Sequence, residues 1–526
     1  MSTQEAGQLE QSYDEVPYES LCYAQTHPAT TAMVARLFGL HTPDFRKARI
    51  LELGCSGGGN LAPLALSYPS AECLGIDFSQ VEIDEANALK AFAKLKNLEF
   101  RRQDILEFDV SGNKGAFDYI ICHGVFSWVP LNVGAKILEI CGACLKPDGI
   151  AVVSFNALPG WNAVRSVREM LMHNGERYKE PQEKIRQSRR FLDFLAENGA
   201  ETGGYRAGIE RERSLLKDLD DFYFFHDHLS GENHQFYFRD FMRMAGAQGL
   251  AYVGDAVLTT MFMGDLPPPA VKKLREFEDL LEQEQYMDYV TNRRFRTTIL
   301  CRKGRKLNRQ LSGEQLMDFH LSTTMQARGD SVDLKKPVTF ISGAAQFTTD
   351  NPHASAMFLE LISRKGKPVQ AADLVAHVQA RLGLKDPRPL RDTLINGGMG
   401  LVTRGFITLH ADAPPCAEKL SAKPVASPIA RYQAGKPGCK NVTSLLGSRV
   451  PTDPVANFIL QGLDGSRGVA DVARALAERI RRGDIVMKKN EQQVTDLAAI
   501  RAEVAKVTEQ TAAKLLENCF FMASSG

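Results

Sequence analysis

Long apolar runs are missing from this 526-residue chain. None approaches the roughly 18–20 residues a helix needs to cross a bilayer, so membrane insertion is not expected. The opening, "MSTQEAGQLEQSYDE", is polar and acidic and lacks the basic and apolar blocks of a secretory leader. Excess charge is missing as well: 64 Lys and Arg stand against 63 Asp and Glu, a net +1. That excludes a surface basic throughout, the mark of general polyanion binding, and leaves only local patches. Paired cysteines are scarce. Ten cysteines are scattered along the chain, which suits reduced thiols and a cytoplasmic location. The one CxxC, Cys141–Cys144 in "CGAC", sits in an apolar helical stretch with no second pair to complete a zinc site, and reads as packing. "HDHLSGENH" brings His226, His228 and His234 together, but three such residues do not close a metal site. It reads as a polar loop before a helix, and no metal is expected.

What is present is ordinary for a globular protein: 44% hydrophobic and 24% charged residues. At roughly 100–200 residues per domain, the length implies about three domains. The first half alternates β-rich and helical runs, the pattern of a parallel sheet with crossovers. "RILEL" (49–53), "AECLGIDF" (71–78), "LEFRRQD" (98–104), "FDYIICHGV" (117–125) and "GIAVVSFN" (149–156) read as strands 1 to 5. "LKPDG" (145–149) reads as a helix stop and turn before strand 5. A charged helical stretch follows over 161–220. Next come a helix and strand over 235–257, a second helical stretch over 269–290 and a last strand, "RFRTTILCRK" (294–303). The expectation is an α/β protein with one seven-stranded Rossmann-like sheet and two helical insertions.

Beyond 305 the pattern changes. "KPVTFISGAAQFTT" (336–349) is strand-like, "GLVTRGFITL" (400–409) reads as a hairpin, and 411–438 is rich in Pro, Ala and Lys like a linker or strap. A weak echo links "AMFLELISRKGKPVQAADLV", from Ala356, with "ANFILQGLDGSRGVADVARAL", from Ala456. Phe358 matches Phe458 and Val369 matches Val469. Both segments read helix, turn, helix, and imply two small winged-helix-like modules.

The stretch "ILELGCSGGGN" (50–60) runs from strand 1 through a glycine turn into a helix. Its glycines do not keep the Gly-x-Gly-x-x-Gly spacing of a dinucleotide site. A helix amino terminus there would welcome a carboxylate as readily as a phosphate. The acids narrow the choice. Asp77 ends strand 2 and can accept hydrogen bonds from a ribose diol. Asp104 ends strand 3 and can accept from an adenine amine, with Phe78 and Ile105 against the ring. Glu52 precedes the turn and can brace it or meet an ammonium group. Gly54, Cys55, Gly58 and Asn60 of the turn complete the cofactor candidates. Ribose, adenine, an amino-acid head and a sulfonium charge together describe S-adenosylmethionine, and open α/β sheets bind ligands at these strand ends.

These residues, with "YDEVPYES" (13–20), "QTHP" (25–28), "FDYIICHGVFSWVP" (117–130) and "NALPGW" (156–161), resemble the class I methyltransferases. The narrower likeness is to bacterial enzymes carrying a regulatory region, which include the rickettsial-type protein lysine methyltransferases. It is close over about 1–165, fair over 220–305 and slight beyond. The resemblance implies a methyltransferase core over 1–160 and a helical lid or dimerisation insertion over 161–234. It implies completion of the sheet over 235–305. It also implies a winged-helix-like regulatory module over 306–412, a linker over 413–440 and a second such module over 441–526. It further implies a homodimer and a polypeptide substrate, with outer-membrane or surface proteins the assigned substrates in the family. The family's turn usually has glycine where Ser56 stands. Glycine is favoured there because the backbone approaches the ligand and needs φ > 0, and Gly57 is expected to absorb the strain.

Methyl transfer requires an acceptor placed in line and stripped of its proton. A lysine amine titrates near about 10.4, so a desolvated aromatic channel helps by disfavouring the charged form. Trp128 and Trp161, the only two tryptophans, follow strands 4 and 5, with Phe126 beside Trp128. Tyr13, Tyr18 and Tyr23 lie on the amino-terminal segment; Tyr13 and Tyr18, with Trp128, are candidates to bound the acceptor pocket. His123 has three readings: general base near neutral pH, contact to the cofactor, or buried structural histidine. The Asn/Asp-Pro-Pro-Tyr/Phe sequence of enzymes that methylate base amines is absent after strand 4. Protein lysine methylation is therefore the leading function. A small-molecule N- or O-methyltransferase is the alternative. A cofactor-sensing nucleic-acid-binding regulator, with "SRKGK" and "RIRRGDIVMKK" as phosphate contacts, comes third; nucleic acid is not the expected partner.

Overall fold

A computed structural model describes residues 20–523 apart from 230, 265, 330, 331, 486, 487, 490, 491, 494 and 495. The sheet of the first half forms from β1 (Arg49–Leu53), β2 (Glu72–Asp77), β3 (Leu98–Arg102), β4 (Phe117–Cys122), β5 (Leu145–Ala157), β6 (Leu250–Asp255) and β7 (Phe295–Arg302). Their order is β3-β2-β1-β4-β5-β7-β6, with a two-residue strand, Gln235–Phe236, beside the end of β5. All are parallel except β7, which runs antiparallel to β5 and β6. β4 is buried at every position, as a strand covered on both faces must be. Ile50, Tyr119, Ile121 and Val152 pack on one face with α1 (Pro28–Leu37), α2 (Leu61–Ser67) and α3 (Gln80–Ala93). Leu51, Leu53, Ile120 and Val153 pack on the other with α4 (Leu131–Cys144) and Phe238 and Phe241 of a helix described below. "LKPDG" is a correction: residues 145–149 already belong to β5, and the irregularity expected there is a register shift against β4.

The first insertion is a helical bundle, α5 (Trp161–Gly175), α6 (Pro181–Asn198), α7 (Tyr205–Leu216) and α8 (Asp221–Leu229), closed around Leu171, Ile185, Leu192, Ile209 and Phe224. His226 and His228 are therefore helical and buried, not part of a polar loop. The apolar i, i+3, i+4 spacing of "FYFFHDH" carries the helix through them. The chain returns through α9 (Phe238–Ala247) into β6, then through α10 (Pro268–Leu274) and α11 (Leu280–Thr291) into β7. A buried ion cluster locks α11 to the sheet. Arg296 on β7 donates to both carboxylate oxygens of Asp288, at 2.8 and 2.7 Å, and to Glu284 at 2.9 Å. Arg293 meets Asp288 at 2.9 Å, and the Arg296 guanidinium lies 4.0 Å above the Phe238 ring.

Beyond the sheet domain, α12 (Pro352–Ser363), α13 (Ala371–Leu382) and α14 (Arg388–Thr403) pack with short strands including His320–Ser322 and Thr408–His410. "GLVTRGFITL" is thus the end of a helix followed by a strand, not a hairpin. Val338–Ser342 and Ala345–Thr349 do pair as a hairpin. The stretch 413–440 is more than a linker, because it holds α15 (Pro428–Ala434), packed on α3 through Tyr432 and Phe92. α16 (Pro454–Gly462), α17 (Val469–Arg481) and α18 (Leu497–Glu517) complete the chain. The two echoing segments both fold as helix, turn, helix. Among the described residues, no helix is long and apolar enough to cross a membrane.

Asp288→Ala leaves Arg296 buried without its bidentate partner. It should lower unfolding stability by about 3–5 kcal/mol, read as an earlier urea midpoint.

Candidate active site

Four strands end along one edge of the sheet, and the chain leaves each of them toward the same crevice. The turn after β1 is bent by Gly54 at φ 73°, where an added Cβ would strike Val125 at 2.4 Å. Gly58, at φ 76°, faces the other way against Phe100. Unlike Gly54, it does not line the cavity, and it serves the turn by shape. Ser56 itself takes the left-handed backbone, at φ 45°, so Gly57 does not absorb the strain. Its Cβ is accommodated by α3: Ser56 Oγ donates to Glu82 at 2.8 Å, and its amide donates to Asp77 at 2.9 Å.

The crevice is a cavity of about 460 Å³, within the range typical of small-molecule sites. Glu52, Gly54, Cys55, Asn60, Asp77, Phe78, Asp104, Ile105, His123 and Trp128, all marked from the sequence, line it together. Asp77 and Asp104 share this one crevice. Asp77 also accepts from the Ser79 amide at 3.1 Å, and Asp104 accepts from the Leu106 amide at 2.9 Å, which fixes both carboxylates at the strand tips. Glu52 accepts from Asn60 Nδ2 at 2.6 Å through one oxygen, while its other oxygen is buried without a partner. Burial pushes Glu52 up to about 8, against the Asn60 hydrogen bond and helped by the charge of Asp77. Burial also raises Asp77, and three backbone amides oppose the rise. Burial drives the Cys55 thiol far above its ordinary value, so it packs rather than reacts.

His123 follows β4 in a loop held by β5, where Ser154 Oγ accepts from the Gly124 amide at 2.8 Å. Its ring lies tilted against that of Tyr23, with centroids 4.4 Å apart, and meets Phe295 edge-on at 5.8 Å. Burial pulls it down to about 4, which keeps it neutral and makes it a weak proton acceptor near pH 7. That weighs against the general-base reading of His123. Trp161 and Phe126 do not reach the cavity: Trp161 bonds Asn233 at 3.0 Å behind Trp128, and Phe126 packs on Phe236 and Phe241. Tyr13 and Tyr18 lie outside the described residues. The segment after them does lie over the site. Ser20 Oγ accepts from the Gly59 amide at 2.7 Å, the Tyr23 amide donates to Asn60 at 3.0 Å, and Ser20, Leu21 and Tyr23 line the cavity.

The opposite wall was not legible as a site. Tyr223, His226 and Asp227 of α8 reach it together, as i, i+3, i+4 neighbours do, and Phe295 at the start of β7 joins them. The Tyr23 and Tyr223 hydroxyls stand 3.3 Å apart across the opening. One signal was available: polar residues interrupting the buried stripe of an aromatic helix. Five acids, Glu52, Asp77, Glu82, Asp104 and Asp227, line the cavity, and no lysine or arginine does among the described residues.

Family comparisons agree with this geometry. The family model described as "Methyltransferase domain" matches 44–199, "Predicted methyltransferase regulatory domain" matches 220–302, and "PKMT, C-terminal winged helix domain" matches 422–520. An uncharacterized protein of Rickettsia prowazekii is 34% identical over 523 residues, 97% of this chain and 93% of its own. The structure of PKMT2 from Rickettsia typhi in complex with AdoHcy superposes with a TM-score of 0.87 at 30% identity, over 96% of this chain and 100% of that one. The chain belongs to the class I S-adenosylmethionine-dependent methyltransferases that carry a regulatory domain. The likeness extends well past residue 305, where the sequence had offered little. The regulatory-domain match of this methyltransferase covers Tyr223, His226, Asp227 and Phe295, so it supplies the wall opposite the strand tips. A trans-aconitate 2-methyltransferase of Deinococcus radiodurans is 30% identical over 135 residues, only 26% of this chain.

Glu52 is protonated below about 8 in the free protein, and a cationic group against its unpaired oxygen would lower that value. Binding of S-adenosylmethionine at pH 7 should therefore release about one proton. Calorimetric enthalpies should then depend on the ionisation heat of the buffer, and Glu52→Gln should abolish that dependence.

Proposed function

We propose that this methyltransferase transfers a methyl group from S-adenosylmethionine to lysine side chains of a polypeptide. The observation that carries the reading is a cavity with an aromatic wall that five acids line, with no lysine or arginine among the described residues. Such a site favours positively charged occupants on both sides, because enclosed carboxylates are costly until a cation faces them. On one side, Glu52 receives the ammonium of the cofactor, Asp77 the ribose diol and Asp104 the adenine amine, between Phe78 and Ile105. The cofactor, when bound, supplies a methyl group on a sulfonium. On the other side, Tyr23, Trp128, Tyr223 and Phe295 offer ring faces that hold an alkylammonium by cation–π contact.

A polypeptide acceptor is supported by the extent of the likeness. PKMT2 of Rickettsia typhi matches 96% of the chain, whereas the trans-aconitate 2-methyltransferase matches only 26% of it. The winged-helix region also stands close to the opening: Lys440 and Arg449 pair with Asp220, just before α8, and Gly447 lies against Cys22. The same reading takes the helical insertion, which leaves Phe194, Tyr205 and Leu215 exposed, as the contact of a homodimer.

Incubation of radiolabelled S-adenosylmethionine with lysate from cells lacking this chain should leave label in acid-precipitable, protease-sensitive material. Hydrolysis of that material should yield methyl-lysines. Label confined to the small-molecule fraction would favour a metabolite acceptor instead.

A further inference from the structure

Asp227 is the acid of this cavity that the cofactor side does not use. It lies on α8, opposite the strand tips, and reaches the cavity beside Tyr223 and His226. Buried carboxylates are ordinarily paired or hydrogen-bonded. Among the described residues Asp227 has neither a hydrogen-bond donor nor an ion-pair partner, although it is half-buried in the cavity wall. The α8 residues around it are committed elsewhere. Phe224 and Phe225 pack into the helical bundle, and His228 is buried beside the Phe224 ring. A carboxylate with no structural partner, aimed into a site that must accept a cationic side chain, is placed to receive one.

We infer that the Asp227 carboxylate receives the acceptor's ammonium group and takes one of its protons, which makes the site selective for amines. The inference rests on the reading of the cavity as a methyltransferase site for lysine. The ammonium gives a proton to an Asp227 oxygen. The freed nitrogen lone pair forms a bond to the methyl carbon, the carbon–sulfur bond breaks, and its electron pair returns to sulfur as a neutral thioether. The product leaves as a methylammonium, and Asp227 returns its proton to solvent. His123 does not compete for this role, since it stays neutral and is a weak base.

The electrostatic surroundings fit. Burial pushes Asp227 up to about 7, and the nearby charge of Arg168 on α5 opposes that rise. α6 presents Arg189 to the start of α8, bonded to Asp221 at 3.1 Å, and Arg294 lies toward His228. Beside Asp227 on α8 stand Tyr223 and His226, and across the cavity stand Glu52, Asp77, Glu82, Asp104, His123 and Tyr23. A proton acceptor near neutral pH suits general-base work better than a fully exposed aspartate would.

The test is single-turnover methyl transfer to heat-treated lysate protein, read as methyl-lysine, with calorimetry of S-adenosylmethionine binding alongside. Asp227→Asn should slow transfer by about 100-fold or more at neutral pH, a general-base effect, with cofactor affinity within about twofold of the unaltered enzyme. Its rate should climb with pH as free amine accumulates, so the deficit narrows at alkaline pH. Asp227→Glu should recover part of the rate. An unaltered transfer rate and pH profile in Asp227→Asn would overturn the assignment. Should that variant fail to fold, the unaltered enzyme still decides the question. Its transfer rate should fall as pH drops below about 7, and a flat profile through that range contradicts the role. If the unaltered enzyme labels no lysine, the functional reading beneath the inference fails instead.

Discussion

Enclosed negative charge is the constraint on which the rest of this molecule depends. Carboxyl groups removed from water are costly unless a cation or hydrogen-bond donors meet them. Here five acids line one cavity without a lysine or arginine among the described residues; Glu52 and Glu82 are buried, Asp77 and Asp227 half-buried and Asp104 exposed. Backbone amides hold Asp77 and Asp104 at the strand tips, but among the described residues one Glu52 oxygen has no hydrogen-bond partner and Asp227 feels only the charge of Arg168. The free protein answers by holding protons on these groups, and Glu52 and Asp227 are both raised by burial. A sulfonium and an ammonium from the cofactor, and an ammonium from the acceptor, would satisfy what the fold leaves unsatisfied. Ligand binding and proton release are therefore coupled by the architecture itself.

The two halves of the cavity come from segments far apart in sequence, so their mutual placement needs reinforcement. The buried Arg296 cluster provides it on one side, fastening α11 against β7 one residue beyond Phe295. On the other side, α8 is held by the helical bundle behind it and by Lys440 and Arg449 at Asp220 ahead of it. The winged-helix region thus touches the start of the helix that carries Tyr223, His226 and Asp227. Anything gripped by that region would act directly on the element that forms this wall of the cavity. The name "regulatory domain" for the segment over 220–302 undersells it, since four of its residues line the cavity.

The cofactor half is legible from the sequence because its signals are local. Each strand ends in an acid or a glycine turn, and register alone brings Glu52, Asp77 and Asp104 to one edge. The acceptor half is not legible, because Tyr223, His226 and Asp227 owe their place to the packing of α8 across a bundle that no short motif specifies. His226 and Asp227 sit in "HDHLSGENH", where the polar letters suggest a loop; the aromatic residues just upstream are what make it a helix. The same limit explains Trp161 and Phe126. Their types and positions matched an aromatic channel, but tertiary packing placed both behind it. The strain of the turn, expected to fall on Gly57, falls on Ser56 itself, and Glu82 supplies the compensating hydrogen bond. "GLVTRGFITL" misled because a helix end and a following strand share the composition of a hairpin.

The central claim is that the strand-tip acids bind a positively charged adenosyl ligand. Calorimetry of S-adenosylmethionine with the unaltered protein and with Asp77→Ala tests it most directly. The account predicts saturable binding by the first and a loss of at least about 100-fold in the second, as expected when charge-assisted hydrogen bonds to a buried carboxylate are removed. Equal affinity in the two proteins, or no heat of binding in either at millimolar ligand, would contradict it.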